Sequence, residues 1–336
     1  MQNPRRLILT LLASLALPLT SQAQVAQLRI ASVVPKNSLY HQSLLELGEA
    51  WRTAQGAGAR FTVFTDGSQG GEAEIVRRMR IGQLQGGLMS VVGLRDIEPS
   101  IAALQNLPLL FRSWEEIDYV RDKMRAGMEK RFLDKGFVVI GWGDAGWVRF
   151  FSKEAAFSPG DFKSRKFFAW GSEPEQQAIM KSLGYTPVPL ETGDALAAIQ
   201  TGMIDVLPST PYFALASQVF GTAKHMLDIN WAPIVGALVV TQKAWDSMTP
   251  AGQDSLRKAG EKAGLAMRAQ ARKEVDEAVS AMQKRGLVVN RPNEAQMREW
   301  NALAEQLYPR IRGAMVPADT FDEVFVHLRA FRAGKR

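Results

Sequence analysis

The sequence predicts an α/β chain folded as a hinged pair of lobes, and three observations carry that expectation. Short strand-like runs alternate with helical stretches over the first third of the chain: LRIASVV (28–34), RFTVFT (60–65) and GGLMSVV (86–92). This βαβαβ order implies an open, mostly parallel sheet. Past Ser158 the same rhythm starts again, with strand-like runs at 166–169, 186–190 and 204–208 separated by helical ones. Finally, the runs at 225–229 and 234–241 are expected to lead back to the first lobe, so the chain crosses between lobes twice. At 336 residues it is long enough for two domains of ordinary size.

In order, the first strand enters a core at Leu28–Val34, and Pro35–Asn37 form a turn. Ser38 can cap a helix over about 39–54 that ends at Gly56 and Gly58. The loop DGSQGG (66–71) opens onto a helix with acids in its first turn, where free backbone N–H groups can hold an anion, or the loop is a plain strand-to-helix turn. It is no Walker loop, because the lysine and hydroxyl that hold phosphate and metal are missing. Gln69 sits where a cleft residue would sit. Ser113 caps a helix from Trp114 to about Leu133, followed by strands over 136–142 and 147–152, with Asp144, Ala145 and Gly146 turning between them. A helix over 173–183 has Gly184 as its C-cap, and one over 192–201 is capped by Thr192 or Gly193. Pro250 opens a helix running to about Lys284, near the upper end of ordinary length, which Gly260, Gly264 or Asp276 could bend. A short edge strand at Val288 and Val289 follows, then a helix over 293–307 broken by Pro309–Gly313, and a last helix over 317–334.

The first residues carry a destination. MQNPRR holds two arginines, LILTLLASLALPL is apolar, and Ser21 and Ala23 fit the small-residue cleavage positions, so residues 1–23 read as a cleaved signal peptide and the chain as periplasmic. There is no cysteine, which excludes a lipoprotein anchor and a disulfide-stapled fold. The formal charge is +7, and +5 once Arg5 and Arg6 leave with the signal (7 − 2). That charge is dispersed, and nucleic-acid binding would need a denser basic stripe.

Catalysis and metals are poorly provided for. The three histidines, His41, His225 and His327, are isolated, and no second ligand stands at zinc spacing. Asp66, Asp194 and Asp205 are oxygen ligands by type, each better read as a cap or turn residue, and no calcium loop is present. No GxSxG elbow occurs. No cofactor is expected, and the reading is a binding protein rather than an enzyme. The aromatic inventory says more: Trp142, Trp147, Trp170 and Trp231 all fall at strand ends or turns near the seam between lobes. A tryptophan offers broad apolar contact and one N–H donor. Thr210, just past a strand end, lies where open α/β sheets bind ligands. Arg149 can pair with a carboxylate, and Lys166 has the same potential.

Five phrases together resemble a known family in its own order: GSQGGEAEIVRRMRIGQLQGGLMSV, LQNLPLLFRSWEEIDYV, GWVRFFSKEAAFSPGDFKSRKFFAW, LGYTPVPLETGDALAAIQTGMIDVLPSTP and APIVGALVVTQKAWDSM. They cover nearly all of the mature chain. The chain is similar to the substrate-binding subunits of tripartite ATP-independent periplasmic (TRAP) transporters, in the dicarboxylate-receptor class. The resemblance implies a fold like that of type II periplasmic binding proteins, with a long helix crossing both lobes. The expected division is 24–146 for the first part of lobe one, 147–232 for lobe two, and 233–336 for the return with the spanning and C-terminal helices. It implies closure on an organic acid, delivery to small and large integral membrane subunits, and uptake driven by an ion gradient; the receptor itself is expected to be a monomer. The rival readings are a receptor of an ATP-driven system, a sensor, or an exported hydrolase. One departure stands out: the family's clamp arginine falls in register on Phe168 of RKFFAW. Either Arg149 or Lys166 substitutes, or the ligand is more apolar and lies against Phe168 and Trp170. The expected ligand-contacting set is Gln69, Trp147, Arg149, Lys166, Phe168, Trp170, Thr210 and Trp231.

Overall fold

The structure, a computed structural model, describes residues 26–334; the expected signal peptide lies outside the described residues. In the first lobe the chain forms β1 (Gln27–Ala31), α1 (Leu39–Gln55), β2 (Arg60–Phe64), α2 (Glu72–Arg80), β3 (Gly86–Ser90), α3 (Val91–Leu94), α4 (Trp114–Asp134) and β4 (Phe137–Trp147). It then forms β5 (Arg149–Ser152), β6 (Lys166–Trp170), α5 (Pro174–Ser182), β7 (Thr186–Leu190), α6 (Ala195–Thr201), β8 (Val206–Ser209), α7 (Pro211–Ala216) and β9 (His225–Leu227). The remainder is β10 (Pro233–Thr241), α8 (Gln242–Asp246), α9 (Pro250–Gln283), β11 (Val288–Asn290), α10 (Glu294–Ile311) and α11 (Ala318–Gly334).

Two sheets result, ordered β2-β1-β3-β10-β4 and β11-β9-β5-β8-β6-β7. In each, the strand that has just crossed from the other lobe is the reversed one. β10 is antiparallel to β3 and β4, and β5 is antiparallel to β8 and β9, whereas β1 with β2 and β3, β6 with β7 and β8, and β9 with β11 are parallel. A chain that leaves one lobe at the carboxyl end of a strand must enter the next sheet from that same side. The carboxyl ends of the other strands therefore all face the gap between the sheets. The two strand-to-strand crossings run side by side, bonded Val148 N–H to Ala232 O (2.8 Å) and Trp231 N–H to Val148 O (3.2 Å).

Each sheet is covered on both faces. In the first, Ile75, Ile117, Val120, Met124 and Phe132 pack one face, and Leu44, Leu47, Trp51, Leu256 and Met267 the other. In the second, Ile199, Ala214 and Met282 cover Phe151 and Met226, while Trp300 of α10 covers Phe150, Phe167 and Leu227. Helix α9 thus packs by Leu256 in one lobe and by Met282 in the other; its 34 residues span about 50 Å.

Two local expectations are corrected, and the glycines of α9 gain a packing role. Residues 144–146 form no turn: β4 runs unbroken to Trp147, paired with β10 and accommodating irregularities by register shifts. Asp144 is buried and held by Arg121 of α4 (2.6 Å) and Arg272 of α9 (3.4 Å), partners too far along the chain for local sequence to reveal. Gly260 and Gly264 do not interrupt α9. They let it lie directly on β4: a Cβ at Gly264 would stand 2.3 Å from Trp142 O, and one at Gly141 2.3 Å from Gly260 O. Pro309 lies inside α10, which ends at Ile311, where Arg312 becomes extended and Gly313 adopts φ +85°. So near the helix end, proline costs one backbone donor without stopping the helix.

Candidate functional site

The gap between the sheets contains a cleft cavity of about 180 Å³ at the strand ends. From the first lobe Ser32, after β1, and Ser90, ending β3, face it; from the second come Trp170, ending β6, Ser209, ending β8, and Thr210, just past it. Tyr40 and Phe213 close one side, their rings stacked at 5.8 Å across the lobes. Thr210 N-caps α7 by accepting from Phe213 N–H (3.5 Å). It lies against Gly146, whose φ of +107° suits the absent side chain.

Glu72 opens α2 and turns its carboxylate under the cleft, accepting from Ser90 N–H (2.9 Å), Ser90 Oγ–H (2.7 Å) and Gly93 N–H (2.8 Å). It joins the start of α2 to that of α3 and so shapes the first-lobe wall. Burial pushes its carboxyl up, against the pull of those bonds.

A second cavity, about 150 Å³, lies on the other side of Val148, Trp170, Pro208 and Ile234, which belong to both linings. Its walls are Phe150, Phe167, Phe168 and Ile179 of the second lobe, Trp231 at the crossing, and Trp300 and Leu303 of α10. The first lobe contributes Gln105, Asn106 and Pro108. Trp231 meets Phe150 at 5.3 Å and Trp300 edge-on at 5.5 Å, and Phe168 meets Trp170 edge-on at 5.3 Å. Also in its lining is Glu173 of lobe two, with a side chain only 2% exposed, which receives Arg95 of lobe one at 3.2 Å. Arg95 also reaches Glu175 at 3.4 Å.

Of the eight residues singled out from the sequence, Trp170 lines both cavities, Thr210 the cleft, and Phe168 and Trp231 the apolar cavity. The other four line neither. Gln69 accepts from Arg78 (3.1 Å), and Trp147 is buried against Trp114 at 4.9 Å. Arg149 pairs with Asp228 across β5 and β9, and burial pulls its guanidinium pKa down despite that partner. Lys166 is at the amino end of β6, about 13 Å of strand away from Trp170, and donates to Gly202 O. Strand alternation separates Arg149 from Val148 and Phe150, both of which line the apolar cavity. The sequence reading missed Glu72, Asp144, Glu173 and Arg95. Acids in the first turn of a helix at a strand end were the one available signal, and it applied to Glu72.

Among the described residues no group of histidine, cysteine, aspartate or glutamate could hold a metal ion, and no helix is long and apolar enough to cross a membrane. Asp66 accepts from Lys36 N–H and Asp205 from Lys166 N–H, each at 3.0 Å, in turn and strand-edge roles.

Comparison with known proteins places this arrangement. Residues 30–313 match the family described as bacterial extracellular solute-binding protein, family 7 (DctP). The chain is 24% identical over 211 residues to YiiZ of Salmonella typhimurium, a match spanning 62% of this chain and 64% of that protein's length. By structure it is similar to a TRAP periplasmic solute-binding protein of Ralstonia eutropha with bound (S)-2-acetolactate: TM-score 0.83, 17% identity, 91% of this chain and 99% of that one. It is also similar to DctP7 of Bordetella pertussis, an extracytoplasmic solute receptor binding pyroglutamic acid: TM-score 0.81, 18% identity, 90% and 99% covered. At such identities the two structures speak to the fold, which is the two-lobed fold of TRAP solute-binding proteins. With 284 consecutive residues (30 to 313 inclusive) under the family match, the chain belongs to bacterial extracellular solute-binding protein family 7, the DctP family of TRAP solute receptors.

Proposed function

We propose that this receptor works in the periplasm, captures an organic acid in the interlobe cleft, and hands it unchanged to the small and large membrane subunits of an ion-gradient-driven TRAP transporter. The observation that carries this reading is the cleft itself, where the strand ends of both sheets meet: Ser32 and Ser90 from one, Trp170 and Thr210 from the other. Ligands of open α/β sheets lie beyond such carboxyl ends. A solute touching both walls favours the closed arrangement by its differential affinity for it. The small acids bound by the Ralstonia and Bordetella proteins support the solute class, and the signal-like first 23 residues support export.

The test combines calorimetry and solution scattering over a panel of organic acids. One acid is expected to release heat and compact the molecule, and mass spectrometry should recover it intact. Conversion of the bound acid, or heat and compaction with none of the panel, rejects the proposal.

A further inference from the structure

We infer that the solute is a monocarboxylic acid whose remaining part is one uncharged, mainly hydrocarbon body about the size of a six-membered ring, seated in the apolar cavity beside Trp170. The inference deepens the receptor reading and rests on it.

Size comes first. The cavity measures about 150 Å³ and most of its wall is hydrocarbon, from Phe168, Trp170, Ile179, Trp231 and Trp300 among others. A largely hydrocarbon space of that volume takes a benzene-sized guest. Both lobes contribute walls, through Pro108 on one side and Phe168 on the other, so a guest there holds the lobes together as one in the cleft does.

Charge comes second. The charged residues lining the two cavities are Glu72 and Asp144 on the cleft side and Glu173 on the apolar side; no lysine or arginine lines either among the described residues. The position where the family resemblance places an arginine holds Phe168, which is buried. A second carboxylate entering the apolar cavity would find no cation and would face Glu173, whose one close guanidinium, Arg95, is already engaged. A polyhydroxylated body would have only Gln105, Asn106, Gln176 and Glu173 to meet its hydroxyls, in a lining otherwise almost wholly apolar. Gln105 already accepts from Val235 N–H at 3.1 Å. A single carboxylate is left to the cleft side, where Asp144 is matched by two guanidiniums, Arg121 and Arg272, and Glu72 by three hydrogen-bond donors, whereas Arg95 is shared between Glu173 and Glu175. Trp170 lines both spaces and would lie alongside the junction between charged head and apolar body.

The experiment measures affinities of phenylacetate, cyclohexanecarboxylate, succinate and D-glucuronate by calorimetry, for the wild-type receptor and for Ile179→Trp and Leu303→Phe. Both substitutions put bulk into the cavity from half-buried positions on different helices, so one remains informative if the other misfolds. Quenching or enhancement of tryptophan emission gives an independent binding signal, because Trp170, Trp231 and Trp300 line the space. The ring-bearing monoacids are expected to bind at least tenfold tighter than succinate or glucuronate, and each substitution to weaken them at least tenfold. Preference for succinate or glucuronate, or ring-acid affinity untouched by both substitutions, overturns the inference while the receptor reading stands. If none of the four acids binds, the inference falls; the receptor reading falls with it only if the wider panel also yields no heat and no compaction.

Discussion

Replacing Gly264 with alanine should destabilise the protein, although it replaces the poorer helix former with the best one. A Cβ at this position of α9 would stand 2.3 Å from Trp142 O, 3.1 Å from its C and 3.2 Å from its N. All three are backbone atoms of β4, which is bonded to β10 along its length and cannot swing aside as a side-chain tip would. Relieving the contact needs a helix-to-sheet shift on the order of 1 Å, and overpacking of this kind costs about 1–3 kcal/mol. The gain in helix propensity offsets up to ~1 kcal/mol of that. The obstacle is rigid, so the net loss should be about 1–2 kcal/mol. Gly127→Ala in α4 is the matched control: it is exposed, and the nearest atom to its Cβ is Arg131 Nη1 at 3.6 Å, the tip of a flexible side chain. There the propensity term acts alone and stabilises by about 0.5–1 kcal/mol. For a chain of this size each kcal/mol moves the melting temperature by roughly 2 °C. Circular dichroism melts and urea titrations of the two variants beside wild type should move in opposite directions. A Gly264→Ala protein as stable as the Gly127→Ala protein refutes the argument that the glycines of α9 and β4 exist to bring the two backbones together.

Two further outcomes follow from the ion pairs. Arg95→Ala strands the buried Glu173 carboxylate and is expected to cost about 3–5 kcal/mol, most of it regained by adding Glu173→Gln; a double-mutant cycle with no coupling contradicts this. In Glu116, burial by itself would raise the carboxyl, but Arg332 and the Arg112 N–H outweigh it and hold it below its usual range. A carboxyl lowered by folding contributes stability above its ordinary value and loses it as pH falls through the lower folded value. Wild type should therefore lose stability more steeply than Glu116→Gln as the solution is acidified below the ordinary glutamate range, and parallel slopes would count against the pair's role.

Strand and helix periods, caps and turn residues made most of the fold legible. Thr249 and Pro250 open α9, Ser38 caps α1 by accepting from His41 N–H, and Gly184 follows α5 at φ +81°, all in line with local chemistry. The errors came where a residue's local preference was overruled by a distant neighbour. Asp144 and Gly146 have the composition of a turn, yet they lie in a strand because β10, ninety residues later, pairs with them. Gly260 and Gly264 look like weak points in a helix, and their purpose appears only once β4 lies beneath them. Among candidate site residues, Trp170, Thr210 and Trp231, at strand ends or on a crossing, line the cavities because topology brings those points together; Phe168, in the middle of β6, lines one through its strand face, and Trp147, though it ends β4, is buried against Trp114 instead. Lys166 and Arg149 were chosen for charge alone, and strand polarity and alternation carry them elsewhere.

By itself, the order of residues determined that this chain makes two α/β lobes, since periodicity, capping and turn chemistry act over a few residues and are written locally. It also determined that Phe168 stands where the resemblance places an arginine. Only the tertiary structure decided which charges line the gap between the lobes. Glu72, Asp144 and Glu173 face it and the arginines lie behind, an outcome of long-range packing: each acid is held by donors 18 to 128 residues away, and no local pattern records that distance.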